Sequence, residues 1–387
     1  MVDEGVVLEK SKNLEEWLFA NSDIHFPSYS ADRAEKPYPE RYTEYKKTLL
    51  PIHNLVEKGA MVKGALEWME KTKSIICEVA DVDERQSKLD KLIQSDPVIY
   101  LNNHGPGHVD KVICKVSEML HFFESGHLTP YEGFMLLCAI QTHDVGNVFG
   151  REEHERRCRD ILEAKAKPFI PDKFERQLIE KLALVHGGAI DGDRDTISYL
   201  YENKILYERK IRKKLLAALL RFGDELADDS TRADREGLEL NTVTEGSRIY
   251  HQYSQALHTV KIDRDIVTQR IMLHLVYEFD SSVATEKFIK NGENKYLLDE
   301  IYDRTLKMER ERRYCMRFMR PFFSLDGIRV EIHIQNASVS YKSHKINFTL
   351  EENGYPADPS SGCIKVIMPE LRSGEEERQY ITREWNL

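Results

Sequence analysis

No two cysteines in this 387-residue chain are spaced as Cys-x-x-Cys; the six stand at 77, 114, 138, 158, 315 and 363. Neither a paired-thiol motif nor a disulfide framework is indicated, and a reducing cytoplasm is the expected setting. Cys114 and Cys138 fall in apolar helical runs and are expected as reduced, buried thiols. No run of about 18 apolar residues exists, so no segment is expected to span a membrane. The opening Met-Val-Asp-Glu lacks the charged-then-apolar pattern of a leader, which again points to the cytoplasm. An excess of basic residues is also missing: 56 Lys and Arg stand against 66 Asp and Glu, for a net charge of -10. Stable binding to duplex nucleic acid is therefore not expected, although a local basic pocket for a phosphorylated small molecule is still allowed. There is no internal repeat and no low-complexity segment.

What is present suits a soluble globular protein, with 41% hydrophobic and 32% charged residues. The length exceeds one simple core, so one large helical domain with an appended part is expected. Residues 12–20 read as a short helix, 22–40 as loop, 39–72 as helix and 83–94 as a polar helix. A Gly-Pro turn at Gly105-Pro106 opens a helix with Val112, Ile113, Val116, Met119, Leu120 and Phe123 on one face. Thr129-Pro130 caps and starts the next. Further helices are read over 151–165, over 172–186 with Phe174, Leu178, Leu182 and Val185 inward, and over 199–228 with a leucine face. Asp191 to Asp195 is read as a solvated acidic turn rather than a calcium loop. Beyond about 240 the pattern becomes α+β: paired strands over 248–262 and 270–279, a charged helix over 284–320, and strands over 328–335, 338–350 and 363–368. Three parts are expected: 1–97 as an N-terminal helical segment, 98–240 as the core, and 241–387 as an α+β region.

The chemistry gathers around Thr142-His143-Asp144-Val145-Gly146-Asn147. A histidine and an aspartate sit together at the end of the apolar run Phe134–Ile140, where burying them is costly unless something pairs with them. A divalent cation is the most economical partner, since imidazole and carboxylate together suit a first-row metal or magnesium. His108, heading a helix, and Asp224, one turn beyond Leu220 on a leucine face, are the further candidate ligands. Three helices would thus offer ligands from their inward faces.

An ordered His, His-Asp and distant Asp, the last in Leu219-Leu220-Arg221-Phe222-Gly223-Asp224-Glu225-Leu226, resembles the HD-domain metal-dependent phosphohydrolase superfamily over roughly residues 100–235. The resemblance implies an all-helical core with a metal between helices, held by His108, His143, Asp144 and Asp224. The ion could be manganese, magnesium, iron, cobalt or nickel. Asp144-Val145-Gly146-Asn147 is similar to a segment of the branch that hydrolyses deoxynucleoside triphosphates. In that branch His154 would be the catalytic proton donor. In the two-metal phosphodiesterase branch His154 and His186 would instead bind a second ion bridged by Asp144. Each also has a bland reading: His154 on a solvated helix face, His186 as a hydrogen-bonded histidine at a helix end.

His104, Arg151 and Arg221 are the candidate substrate-binding residues. Arg221 and Arg232 equally suit structural bridges to Asp228, Asp229 or Asp234, and His104 equally suits the capping of a turn. Relatives that hydrolyse deoxynucleoside triphosphates carry an arginine three residues before the first ligand histidine, where this chain has Gly105. Arg212-Lys213-Lys214 reads as a solvated helix face, and Tyr250, Tyr253 and Tyr341 as strand-packing aromatics as readily as base-stacking ones. The expectation is a mostly α protein: an HD core with catalytic His154 and His186, a nucleotide substrate, a possible regulatory nucleotide, and a homo-oligomeric state by family inference. A phosphodiesterase of a cyclic nucleotide or oligonucleotide signal, and a nucleotide sensor without turnover, are the alternatives.

Overall fold

A computed structural model gives the fold for residues 5–21, 37–57, 61–62 and 98–99, for isolated positions between 74 and 88, and for 104–385 apart from 150–153, 188, 191, 202–203, 207–208, 241–242, 244, 291, 337–341 and 352–362. The chain is mostly helical, with an α+β region in its C-terminal part. Among the described residues no helix is long and apolar enough to cross a membrane. Two compact units divide the chain: Met1–Leu226 with Phe318–Phe323, and Ala227–Arg317 with Ser324–Leu387.

In the first unit, in chain order, are α1 (Leu14–Ala20), α2 (Tyr38–Glu57), the short pair β1 (Met61–Val62) and β2 (Val98–Ile99), α3 (Pro106–Leu120), α4 (Pro130–Thr142), α5 (His154–Ile161), α6 (Lys173–Leu184), the hairpin β3 (Lys204–Leu206) and β4 (Arg209–Ile211), and α7 (Lys213–Leu226). Helix α4 starts where its sequence dictates. The Thr129 side chain accepts from the Glu132 amide, Glu132 returns a bond to the Thr129 amide, and Pro130 occupies the first turn. All thirteen of its residues are buried, which explains the unbroken apolar run Phe134–Ile140. Around it pack α2, α6, α1, α7 and α3.

Several expectations are corrected here. The helix expected over 39–72 ends at Glu57, and Met61–Val62 is a strand paired with Val98–Ile99. Much of the helix expected over 83–94 lies outside the described residues. The helix expected over 199–228 is replaced up to Ile211 by the hairpin, in which Leu206 pairs with Arg209. Cys114 is exposed, two residues and hence about half a turn from the buried Val112. Phe174, on the first turn of α6, is 51% exposed, while Leu178, Leu182 and Val185 are buried. Arg212 is no solvated group. Its backbone N–H and Nε donate to buried Glu132 at 3.0 and 2.9 Å, and its guanidinium also reaches the carbonyls of Gly126 and His127. Glu132 is buried, so it needs a cation, and Arg212 is that cation. Lys213 is buried as well.

The second unit holds α8 (Arg235–Glu239), α9 (Glu245–Ala256), β5 (Leu257–Arg264), β6 (Ile271–Asp280), α10 (Ser281–Thr285), β7 (Lys287–Lys290), β8 (Glu293–Tyr296), α11 (Leu297–Met319), β9 (Gly327–Asn336), β10 (Lys342–Glu351), α12 (Ile364–Ile367) and α13 (Gly374–Trp385). Its main sheet runs β10-β9-β6-β5, with β6 and β9 parallel and the outer pairs antiparallel. The parallel pair needs a crossover, which α11 helps to supply. Residues 248–256 are helical rather than strand, 287–296 form a hairpin rather than helix, and Ile364–Ile367 is a helix rather than part of a strand. Tyr250 and Tyr253 therefore lie on a helix. Tyr253 is buried under the Arg304 guanidinium, 4.3 Å from the ring centre. Tyr341 and the turn Asn353-Gly354 lie outside the described residues.

Inside α11 is a fully buried ion pair. Arg312 donates through Nε and Nη2 to the two oxygens of Glu309 at 2.7 and 2.8 Å, and through Nη1 to the carbonyl of Leu325. Both side chains are 1% exposed. Arg313 adds a bond to Glu309 at 2.6 Å.

Candidate metal centre

Three helices of the first unit aim polar side chains at one point. His108 lies in the first turn of α3, His143 directly follows α4, Asp144 comes next, and Asp224 stands in the last turn of α7. One ligand atom from each lies within 4.8 Å of the others. His108 Nε2 is 3.0 Å from Asp224 Oδ1, 3.5 Å from Asp144 Oδ2 and 3.4 Å from His143 Nε2. His143 Nε2 is 3.4 Å from Asp144 Oδ2 and 3.6 Å from Asp224 Oδ1. Helices α3 and α7 approach closely because Gly223 has no side chain: a Cβ there would stand 2.6 Å from Val116 Cγ2.

A second group lies on the other oxygen of the same aspartate. His154 Nε2 is 3.3 Å and His186 Nε2 3.9 Å from Asp144 Oδ1. These three residues also form a ligand set within 4.8 Å, and Asp144 is common to both sets. His154 heads α5 and His186 follows α6; both are buried. His154 is buried rather than on a solvated helix face, whereas His186 does sit hydrogen-bonded at a helix end and also turns toward Asp144. His104, ahead of α3, places Nδ1 2.7 Å from Asp144 Oδ2.

The tautomers suit ligation. His143 Nδ1 lies 2.7 Å from the carbonyl of Ile140, and His186 Nδ1 bonds the carbonyl of Ala183. A carbonyl only accepts, so each Nδ1 carries the hydrogen and each Nε2 turns toward Asp144. Burial lowers the proton affinity of His143, but Asp144 and Asp224 override it and raise its pKa to about 10. Burial would raise both carboxyls. His143 and His104 nevertheless hold Asp144 well below the usual range, and His108 and His143 do the same for Asp224. Clustered carboxylates thus draw positive charge into a buried site, the place a divalent cation would take. The donor set, imidazole nitrogen with carboxylate oxygen, fits such an ion. Burial, then His143, pushes His186 down to about 4, so it is neutral at neutral pH.

The candidate substrate groups fare differently. Arg221 is buried and donates to Thr196 Oγ1 at 2.7 Å and to the Gly187 carbonyl at 3.2 Å, bracing the turn that follows His186. Arg232 faces Asp228 at 3.7 Å, as a structural bridge would. Arg151 lies outside the described residues. Sequence reasoning missed two neighbours. Cys158 Sγ lies 3.0 and 3.2 Å from the carbonyls of Thr142 and His143, tying α5 to the His-Asp turn. His53, on α2, is buried, and burial followed by His143 lowers it to about 4. A histidine at a core position of α2 was the available signal.

Gly146 sets the place of His154. A Cβ there would stand 1.9 Å from the His154 carbonyl oxygen, so backbone must move if one is added. Gly146→Ala is expected to destabilise by about 1–3 kcal/mol, as overpacking does. Thermal unfolding checks this; a variant that melts with the parent refutes the role given to the glycine.

No curated protein and no solved structure matches the chain. The HD-CE family matches residues 95–307, more than half of the length and the whole of both ligand sets. An HD-type domain with a buried His/Asp cluster that can bind a metal accords with metal-dependent hydrolysis, and the chain belongs to the HD-CE family.

Proposed function

We propose that the chain is a metal-dependent phosphohydrolase of nucleotides, with deoxynucleoside triphosphates as substrates and deoxynucleoside and inorganic triphosphate as products. The observation that carries the phosphohydrolase reading is the convergence of His108, His143, Asp144 and Asp224. In this reading these four hold the ion, which when bound supplies Lewis acidity toward water and phosphoryl oxygen. Asp144 and Asp224 supply the negative charge that keeps it. His154, 3.3 Å from Asp144 Oδ1, hands a proton to the leaving oxygen, with His186 as the second histidine on that side, 3.9 Å from the same oxygen. The motif Asp144-Val145-Gly146-Asn147 supports the triphosphate as substrate. The C-terminal unit serves oligomerisation or a second, regulatory nucleotide.

A second reading has its own observation. Asp144, His154 and His186 form a further ligand set. That favours a two-ion phosphodiesterase of a cyclic nucleotide or oligonucleotide signal, as does Gly105 where an arginine would grip a triphosphate.

One experiment separates them: pooled dNTPs, NTPs and cyclic dinucleotides in Mn²⁺, Mg²⁺ or Co²⁺, with products identified by mass spectrometry. Inorganic triphosphate is expected. A linear dinucleotide or a monophosphate selects the second reading. A nucleotide-dependent thermal shift without any product overturns both in favour of a sensor.

A further inference from the structure

His104 belongs to neither ligand set, yet it makes the shortest of the side-chain contacts to Asp144, 2.7 Å from Nδ1 to Oδ2. A carboxylate only accepts, so Nδ1 is the donor. The oxygen it holds is the one facing His108 and His143 at 3.5 and 3.4 Å. The other oxygen faces His154 and His186. The terminal torsion of an aspartate is broad and roughly two-fold, so nothing intrinsic to Asp144 decides which oxygen faces which histidines. The His104 ring is placed to decide it. It immediately precedes the Gly105-Pro106 entry to α3, its side chain is 13% exposed, and it packs edge-on against His108 with centroids 5.3 Å apart.

We infer that His104 is a positioning residue: its Nδ1–H fixes the carboxylate plane of Asp144 so that one oxygen is presented to each histidine pair. This role is additional to the phosphate-reaching and turn-capping roles that the sequence suggested for it. The inference rests on the metal reading of the cluster. Outer hydrogen bonds to a ligand typically change metal affinity about 10- to 100-fold.

The test uses Co²⁺ on the full chain, with affinity from chelator competition and geometry from the visible absorption of the bound ion. His104→Ala is expected to weaken Co²⁺ binding by about 10- to 100-fold and to alter the spectrum. His104→Asn, whose amide restores a donor, is expected to recover both. His104→Leu replaces the alanine variant if circular dichroism shows that variant unfolded. Parent-like affinity and spectrum in a folded variant without the donor overturn the inference while leaving the metal reading intact. Parent protein that takes up no Co²⁺ overturns both.

Discussion

Asp144→Ala is expected to leave the protein without bound divalent metal and to lower hydrolysis by at least about 10²-fold, the usual effect of losing one group that stabilises charge in the reaction. Asp144 is the residue common to both ligand sets. Without it, His108, His143 and Asp224 remain on one side, and only His154 and His186 on the other. Asp224→Ala is the informative companion, because it removes a ligand from the first set and leaves the second complete. The parent and both variants, purified in Mn²⁺ and passed through gel filtration, would be compared by elemental analysis and by product release. The alanine variant at 144 should fall to background in both, and the variant at 224 should keep part of its metal if the second set holds an ion. Metal retained in full by Asp144→Ala would remove the basis for the proposed function.

Glu309→Ala should cost about 3–5 kcal/mol of stability, the range for stranding one half of a buried ion pair. Arg312 is 1% exposed and keeps only its bond to the Leu325 carbonyl once the carboxylate is gone. Removing both charges is different in kind: Glu309→Leu with Arg312→Met buries no orphan ion and should cost much less than the single change. Urea midpoints followed by circular dichroism would read both. A single variant within about 1 kcal/mol of the parent would mean that water reaches the guanidinium as it reaches an exposed one.

The site was legible because its constraints are local and ordered. Thr129, Pro130 and Glu132 fix the start of α4 by capping chemistry, so the position of His143 at its end follows from helix length. His108 and Asp224 lie on helices whose apolar stripes were plain, and the structure brings them to His143 and Asp144. The failures have physical causes as well. Along α9, Ser247, Ile249, His251 and Tyr253 are buried while the residues between them are part exposed, so a helix shows the alternation of a strand. The 287–296 hairpin carries three lysines, which favour helix, yet Gly292 takes φ +84° in its turn and ends any helix there. Asn291-Gly292 was the overlooked turn signal. Arg212 and Arg221 look like solvent or ligand groups in the sequence. Their partners, Glu132 and Thr196, are 80 and 25 residues away, a separation that no local pattern discloses.

Helix α4 has no face turned to solvent. A span enclosed on every side leaves almost no latitude for neutral drift, because each replacement is felt by neighbours that have nowhere to go. The same span delivers the His-Asp turn. Wear in the interior and wear at the ligand cluster would therefore arrive together, and variants chosen only for thermal robustness in this unit should prove to be variants that guard the His-Asp turn.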